Sequence, residues 1–250
     1  KLISAEQAGS PDALARFERE AQATAQLTHP NTVQLFDYGR SDDGTFYCVM
    51  ELLDGETLDT IVGRDGPMHA GRAVHVLTQL CGALAEAHDR GLVHRDIKPS
   101  NVILGNRGGM ADVAKLLDFG LVTTRGVGTA NTTGPTLTQV GMIVGTPEFM
   151  SPEQCGDPHE IGPSSDLYSL GALGYFLVAG RSPFAGRNSM QMLAAHLYEL
   201  PPSPSTFADG IPEELDTVLM RALAKEPAAR FESARSMATA LESIARAAPV

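Results

Sequence analysis

The chain has 250 residues, of which 43% are hydrophobic and 20% charged, an ordinary balance for a chain that buries a core, so disorder is not the default. The formal net charge of −11 argues against nucleic acid or an anionic membrane surface as the main partner, since both reward positive charge; an anionic nucleotide needs only a few local cations. Cys48, Cys81 and Cys155 are odd in number, far apart and without C-x-x-C spacing, so free thiols in a reducing compartment are expected. No apolar run is long enough to cross a bilayer and no secretory signal opens the chain, which makes the cytoplasm the expected location.

Lys1-Leu2-Ile3 reads as the tail of a strand, which suggests a segment of a longer protein whose membrane anchor, if it has one, lies outside this segment. A first helix follows: Ser10 can cap it, Pro11 suits its first turn and Asp12 its positive end, and Leu14, Phe17, Ala21 and Ala25 mark one face. Two strand-like runs, Val33 to Tyr38 and Thr45 to Leu53, flank the turn signal Asp42-Asp43-Gly44. After Asp54-Gly55 the pattern turns mostly helical. Ala70 to Arg90 is amphipathic, with Val74, Leu77, Cys81 and Leu84 inward and Gly91 as a stop. Residues 92–119 hold short strands and turns, and residues 121–147 form a long Thr- and Gly-rich loop. Ser165 to Ala179 is apolar on nearly every side and should be a central buried helix. Three more helices fit Asn188 to Leu200, Pro212 to Ala224 and Ser233 to Ala247.

The strongest signal is His94-Arg95-Asp96-Ile97-Lys98-Pro99-Ser100-Asn101, followed 17 residues after Asn101 by Asp118-Phe119-Gly120. Any single Asp-Phe-Gly is weak, and a lone His94 would more often be a core histidine. The joint match in order and spacing is specific. Together these runs resemble the catalytic loop and metal-binding motif of the protein kinase family, with bacterial Ser/Thr kinases of the eukaryotic type as the nearest likeness. The resemblance implies an α+β, two-lobed protein kinase-like fold. Residues 1–53 would be an incomplete small lobe of mixed strands and helix plus the hinge. Residues 54–250 would be the larger, mainly helical lobe, with an activation loop at about 118–153.

The same resemblance implies site residues. Transfer of a γ-phosphoryl group needs an aligned hydroxyl, neutralised phosphate charge and little water. Asp96 would orient or accept the substrate hydroxyl proton, and Lys98 would reach the γ-phosphate. Asn101 and Asp118 would offer oxygen ligands to Mg²⁺. Lys1 falls at the family's phosphate-holding lysine and Glu20 at its helix partner, 19 residues on. Met50, Glu51 and Leu53 would form the adenine site, the last two through backbone groups. Gly145 to Glu153 resembles the segment that positions peptide substrates, with Thr146 near Asp96 and Lys98, Ser151 in place of the usual Ala, and Glu153 paired with Arg230. Asp166 matches the residue that binds the catalytic-loop backbone. ATP, Mg²⁺ and proteins with Ser or Thr hydroxyls are the implied ligands and partners; nucleic acid and membrane are not.

One departure stands out. The Gly-rich loop that closes over ATP belongs upstream of Lys1 and is not in this sequence, and Arg107-Gly108-Gly109 follows the catalytic loop and reads as a turn. The segment alone is therefore expected to be poorly active. Thr138 and then Thr136 are the expected autophosphorylation sites, with Arg95 as the phosphate's partner and two copies meeting during the reaction. A pseudokinase is the first competing reading, disfavoured because Asp96, Lys98, Asn101 and Asp118 are all present. A metabolite kinase of the aminoglycoside phosphotransferase type is the second, disfavoured by the Gly145-to-Glu153 segment. Asp157, His159 and Glu160 read as an exposed loop rather than a metal site.

Overall fold

The computed structural model describes residues 2–3, 21–41, 45–117, 119 and 147–247. Lys1, Glu20, the Asp42-Asp43-Gly44 turn, Asp118, Thr136, Thr138 and Thr146 lie outside these residues.

Among the described residues, the small lobe holds a three-stranded antiparallel sheet, in spatial order β1 (Leu2–Ile3), β3 (Phe46–Met50), β2 (Leu35–Arg40). Its core is a separate cluster of Ala21, Leu35, Phe46 and Cys48. Of the expected first helix only residues 21–24 are described as helical; Ala21 is buried, whereas Ala25 falls in an exposed turn and leaves the inward face. The first expected strand starts two residues late, because Val33 bonds Leu116 O instead (3.0 Å), beside a parallel bridge from Thr32 to Leu116. The second stops at Met50, where residues 51–54 leave the sheet as the link between the lobes.

The larger lobe begins with β4 (Glu56–Thr57) and α1 (Leu58–Asp65). Next comes α2 (Ala70–Asp89), whose Val74, Leu77, Cys81 and Leu84 are all buried, and it ends before Gly91, whose φ of +72° suits glycine. Strands β5 (Val102–Arg107) and β6 (Met110–Leu116) form a hairpin, closed at Gly108 and Gly109, that pairs with β4. A short helix, α3 (Pro152–Cys155), precedes the apolar α4 (Pro163–Ala179), which is buried along nearly its whole length. Helices α5 (Ser189–Tyr198), α6 (Glu213–Ala222) and α7 (Ala234–Ala247) complete the lobe. Helix α5 ends two residues earlier than its pattern suggests: Glu199 is already extended (ψ 139°), and Leu200 precedes Pro201, whose ring disfavours helix in the residue before it.

One large cluster joins α1, α2, α4, α6, α7 and the β5–β6 hairpin. Cys48, Cys81 and Cys155 are free thiols. No described helix is long and apolar enough to cross a membrane.

Candidate active site

The loop between α2 and β5 is held from below by one buried carboxylate. Asp166, in the first turn of α4, is 1% exposed. Its Oδ2 accepts from the backbone N–H of His94 (2.8 Å) and its Oδ1 from that of Arg95 (2.9 Å). His88 Nε2, on α2, donates to Oδ2 as well (2.8 Å). A carboxylate has the lone pairs for all three, and a buried one needs them. Arg95 takes a φ of +66°, a left-handed conformation rare outside glycine, so the Asp166 bonds hold the chain in a shape it would not choose alone.

His94 closes the loop from the other side. Its Nδ1 accepts from Asp96 N (3.2 Å) and its Nε2 donates to Leu117 O (2.7 Å), while its ring lies 4.6 Å from that of Phe119. The catalytic-loop motif and the start of the Asp-Phe-Gly motif are thereby joined. Leu117 N also donates to Asn101 O (2.9 Å).

Asp96, Lys98 and Asn101 meet at one point. Lys98 Nζ lies 2.9 and 2.8 Å from the two oxygens of Asp96. Asn101 Nδ2 donates to Asp96 Oδ2 and to Asp96 O, both at 2.8 Å. Both side chains of the ion pair remain partly open to solvent, at 38% for Asp96 and 30% for Lys98. The side-chain nitrogen of Asn101 is thus committed to Asp96, and among the described residues its side-chain oxygen Oδ1 has no hydrogen-bond partner, as suits a metal ligand. Asp118, the other expected ligand, lies outside the described residues.

The segment after the long loop is tied to the same place. Ser151 caps α3 in a reciprocal capping box with Gln154, and Gln154 Nε2 donates to Arg95 O (2.6 Å). Glu153 is buried against Arg230, with Nη2 to Oε1 at 2.6 Å and Nη1 to Oε2 at 3.2 Å. Burial pushes the Glu153 carboxyl up, but the bonds from Arg230 and Ser151 outweigh it and hold the group below the usual glutamate range.

At the lobe link, Glu51 N donates to Gln34 O (3.0 Å). The Glu51 side chain accepts from Lys115 Nζ (2.5 Å), Arg107 Nη1 (2.7 Å) and Gln34 N (2.9 Å). Burial alone would raise its carboxyl, yet these donors bring it below its ordinary value. Among the described residues Glu51 O and Leu53 N make no hydrogen bond; Met50 and Leu53 are half-buried and Leu52 is exposed. The expectation for Glu51 concerned only its backbone, so this anchoring to β5 and β6 was not read from the sequence. His88 and Gln154 were missed as well. Gln154 carries one local signal, the Ser151-x-x-Gln capping-box pattern, which does not point to Arg95; His88 carries none. Asp157, His159 and Glu160 are exposed, and no group of three ligating side chains that could hold a metal occurs among the described residues.

A protein kinase domain model matches residues 1–241. The chain belongs to the protein kinase domain family. Its curated relatives include the serine/threonine-protein kinases Pkn1 and pkn3 of Myxococcus xanthus. Pkn1 is 40% identical over 242 residues, 97% of this chain and 34% of that protein; pkn3 is 36% identical over 233 residues, 92% of this chain and 42% of that protein. PknB of Mycobacterium leprae is 36% identical over 241 residues, 95% of this chain and 37% of that protein. The kinase domain thus spans less than half the length of these relatives. Among solved structures, the kinase domain of PknI from Mycobacterium tuberculosis matches with a TM-score of 0.70 at 28% identity, covering 97% of this chain and 83% of that one.

Proposed function

We propose that this kinase domain transfers the γ-phosphoryl group of ATP to Ser or Thr hydroxyls of proteins, as part of bacterial signalling. The observation that carries this reading is the Asp96–Lys98–Asn101 cluster, open on one side to solvent and fixed beneath by Asp166. Asp96 would orient the substrate hydroxyl and take its proton, and Lys98 would move from Asp96 to the phosphate. Mg²⁺ would be held by Asn101 and Asp118 and would neutralise phosphate charge. Adenine would bond Glu51 O and Leu53 N beside Met50, with the Glu51 side chain keeping that backbone in place. Lys1 would hold the α- and β-phosphates, paired with Glu20, and Thr146 would stand near Asp96 and Lys98.

Autophosphorylation at Thr138, with Thr136 second, between two copies of the chain, and a cytoplasmic location, belong to the same proposal. The deciding experiment is transfer of labelled phosphate from Mg-ATP to a generic protein substrate by the full-length protein and its Asp96→Asn variant. The variant should lose roughly 10²–10⁴-fold in rate while binding ATP nearly as well. Full activity in Asp96→Asn would remove the assignment.

A further inference from the structure

A buried polar cluster in the larger lobe takes no part in the chemistry above. His196, on α5, is 0% exposed. Beside it stand Tyr168 of α4, Lys225 just beyond α6, and the ring of Phe184, whose centroid is 5.0 Å from that of His196. Lys225 Nζ lies 2.8 Å from His196 O, 3.1 Å from Ala195 O and 3.2 Å from the Tyr168 hydroxyl. That hydroxyl in turn lies 2.9 Å from His196 Nδ1.

The lysine decides the direction of the last bond. Burial lowers its pKa to about 8, so at neutral pH it still carries its proton and can only donate. The Tyr168 oxygen therefore accepts from Lys225, and of its partners among the described residues only His196 Nδ1 can take the phenol proton, so Tyr168 donates to Nδ1. Burial, reinforced by Lys225, lowers the His196 ring to about 4, so it is neutral under working conditions. A neutral imidazole that accepts at Nδ1 carries its proton on Nε2. That Nε2 is buried and, among the described residues, has no hydrogen-bond partner. A buried donor without an acceptor is costly, so it calls for an acceptor nearby.

The acceptor chemistry is close by. Helix α5 packs against the turn Pro147–Phe149. The backbones of Glu148 and Pro147 lie near enough to favour the charged ring, although neither closes a hydrogen bond to it. This turn leads into α3, whose Gln154 holds Arg95 O beside Asp96.

We propose that His196 is a positioning residue for the peptide-substrate segment: as the Nε2–H tautomer set by Tyr168 and Lys225, it donates to a main-chain carbonyl of Pro147 or Glu148 when a peptide is engaged, and so fixes where that turn stands relative to Asp96. The inference rests on the kinase reading of residues 145–153. It places a specificity device on α5, remote from the nucleotide, so peptide binding should feel its loss and nucleotide binding should not.

The test has two arms. Imidazole ¹⁵N spectra of the purified protein at neutral pH should show His196 protonated at Nε2 and bare at Nδ1; the other tautomer, or a charged ring, would overturn the proposal. Steady-state kinetics of the full-length protein should then compare His196→Gln, whose amide can donate, with His196→Leu, which cannot. Losing one such bond should raise the peptide KM of His196→Leu about tenfold, with the KM for ATP unchanged and His196→Gln close to wild type. An unchanged peptide KM, or an equal rise for peptide and ATP, would overturn it. Should His196→Leu fail to fold, Tyr168→Phe keeps the packing but removes the proton given to Nδ1. Mixed tautomers with a raised peptide KM would support the proposal, and a wild-type tautomer with an unchanged KM would end it. An active enzyme indifferent to His196 counts against this inference alone, whereas a full-length wild-type protein that transfers no phosphate fells the kinase reading and this inference with it.

Discussion

At the scale of single residues, the site depends on a carboxylate that touches no substrate. Asp166 receives three donors and holds Arg95 at a positive φ. Asp166→Asn keeps the shape but turns one acceptor oxygen into a donor that faces donors. Stranding a buried polar group in this way costs about 1–3 kcal/mol. The loop would relax toward an ordinary φ and carry Asp96 with it, and small misplacements of reacting groups are expensive in rate. We expect kcat to fall by at least about tenfold with the KM for ATP little changed. Stopped-time phosphate transfer assays check this; wild-type kcat would mean that the loop keeps its shape without the anchor. The first-turn position of Asp166 on α4 was legible in the sequence, because an acidic residue opens an otherwise apolar helix. Its partner His88 was not, since a histidine on a helical face gives no sign of what lies across from it.

At the scale of elements, α4 is the axis of the larger lobe, and two glycines set how closely its neighbours approach. A Cβ at Gly171 would stand 2.6 Å from Ala222 Cβ, a rigid neighbour on α6. One at Gly174 would stand 2.5 Å from Leu219 Cδ2 and 2.9 Å from Leu77 Cδ1, both ends of side chains that can rotate. Alanine gains about 0.8–1 kcal/mol over glycine in a helix, whereas overpacking costs about 1–3 kcal/mol. Gly171→Ala should therefore destabilise the protein, and Gly174→Ala should be closer to neutral; urea melts of the two variants settle the order. The same helix supports the Glu153–Arg230 pair, with Ser165 Oγ donating to Glu153 (3.1 Å) and Arg230 Nη1 to Ser164 O (2.9 Å). Arg230 also bonds Ala224 O and Lys225 O at 2.8 Å each. Removing one partner leaves a buried charge uncompensated, so Glu153→Ala and Arg230→Ala should each cost about 3–5 kcal/mol. Unchanged melting temperatures in both would refute the pairing.

At the scale of the whole molecule, several carboxylates bridge distant segments, and each should make stability depend on pH. Glu51 joins the lobe link to β5 and β6, Glu86 on α2 accepts from the backbone of Thr28 and His29, and Glu153 joins α3 to Arg230. For all three, burial raises the carboxyl but the bonded donors outweigh it, so the folded value lies below the ordinary 4.5. Such groups stabilise the fold fully above that ordinary value, and the contribution is lost as pH falls through the lowered one. His196, buried and lowered from 6.5 to about 4, acts earlier: the unfolded chain takes up its proton first, so stability begins to fall below about 6.5. Thermal melts from pH 7.5 downward should show a gentle decline that steepens below pH 4.5. His196→Gln should flatten the upper part, and a wild-type profile level from pH 7 to 5 would contradict a buried neutral His196.

Local pattern determined much of this protein. The amphipathic run at 70–90 and the apolar run at 165–179 each specify a helix, because period and composition are properties of a short stretch. The order and spacing of His94-Arg95-Asp96, Lys98, Asn101 and Asp118 carried the family resemblance for the same reason. Helix ends were less legible: α5 yields to the proline at 201, and Val33 leaves its strand for Leu116, since a hydrogen-bond partner far along the chain competes with the local pattern. Only the tertiary structure decided the partners. Gln154 reaches Arg95 across 59 positions and Lys115 reaches Glu51 across 64. The proton of His196 is placed by a tyrosine 28 positions before it and a lysine 29 positions after it. A sequence shows which groups can donate or accept, but the direction of a buried hydrogen bond depends on which of them the fold brings together.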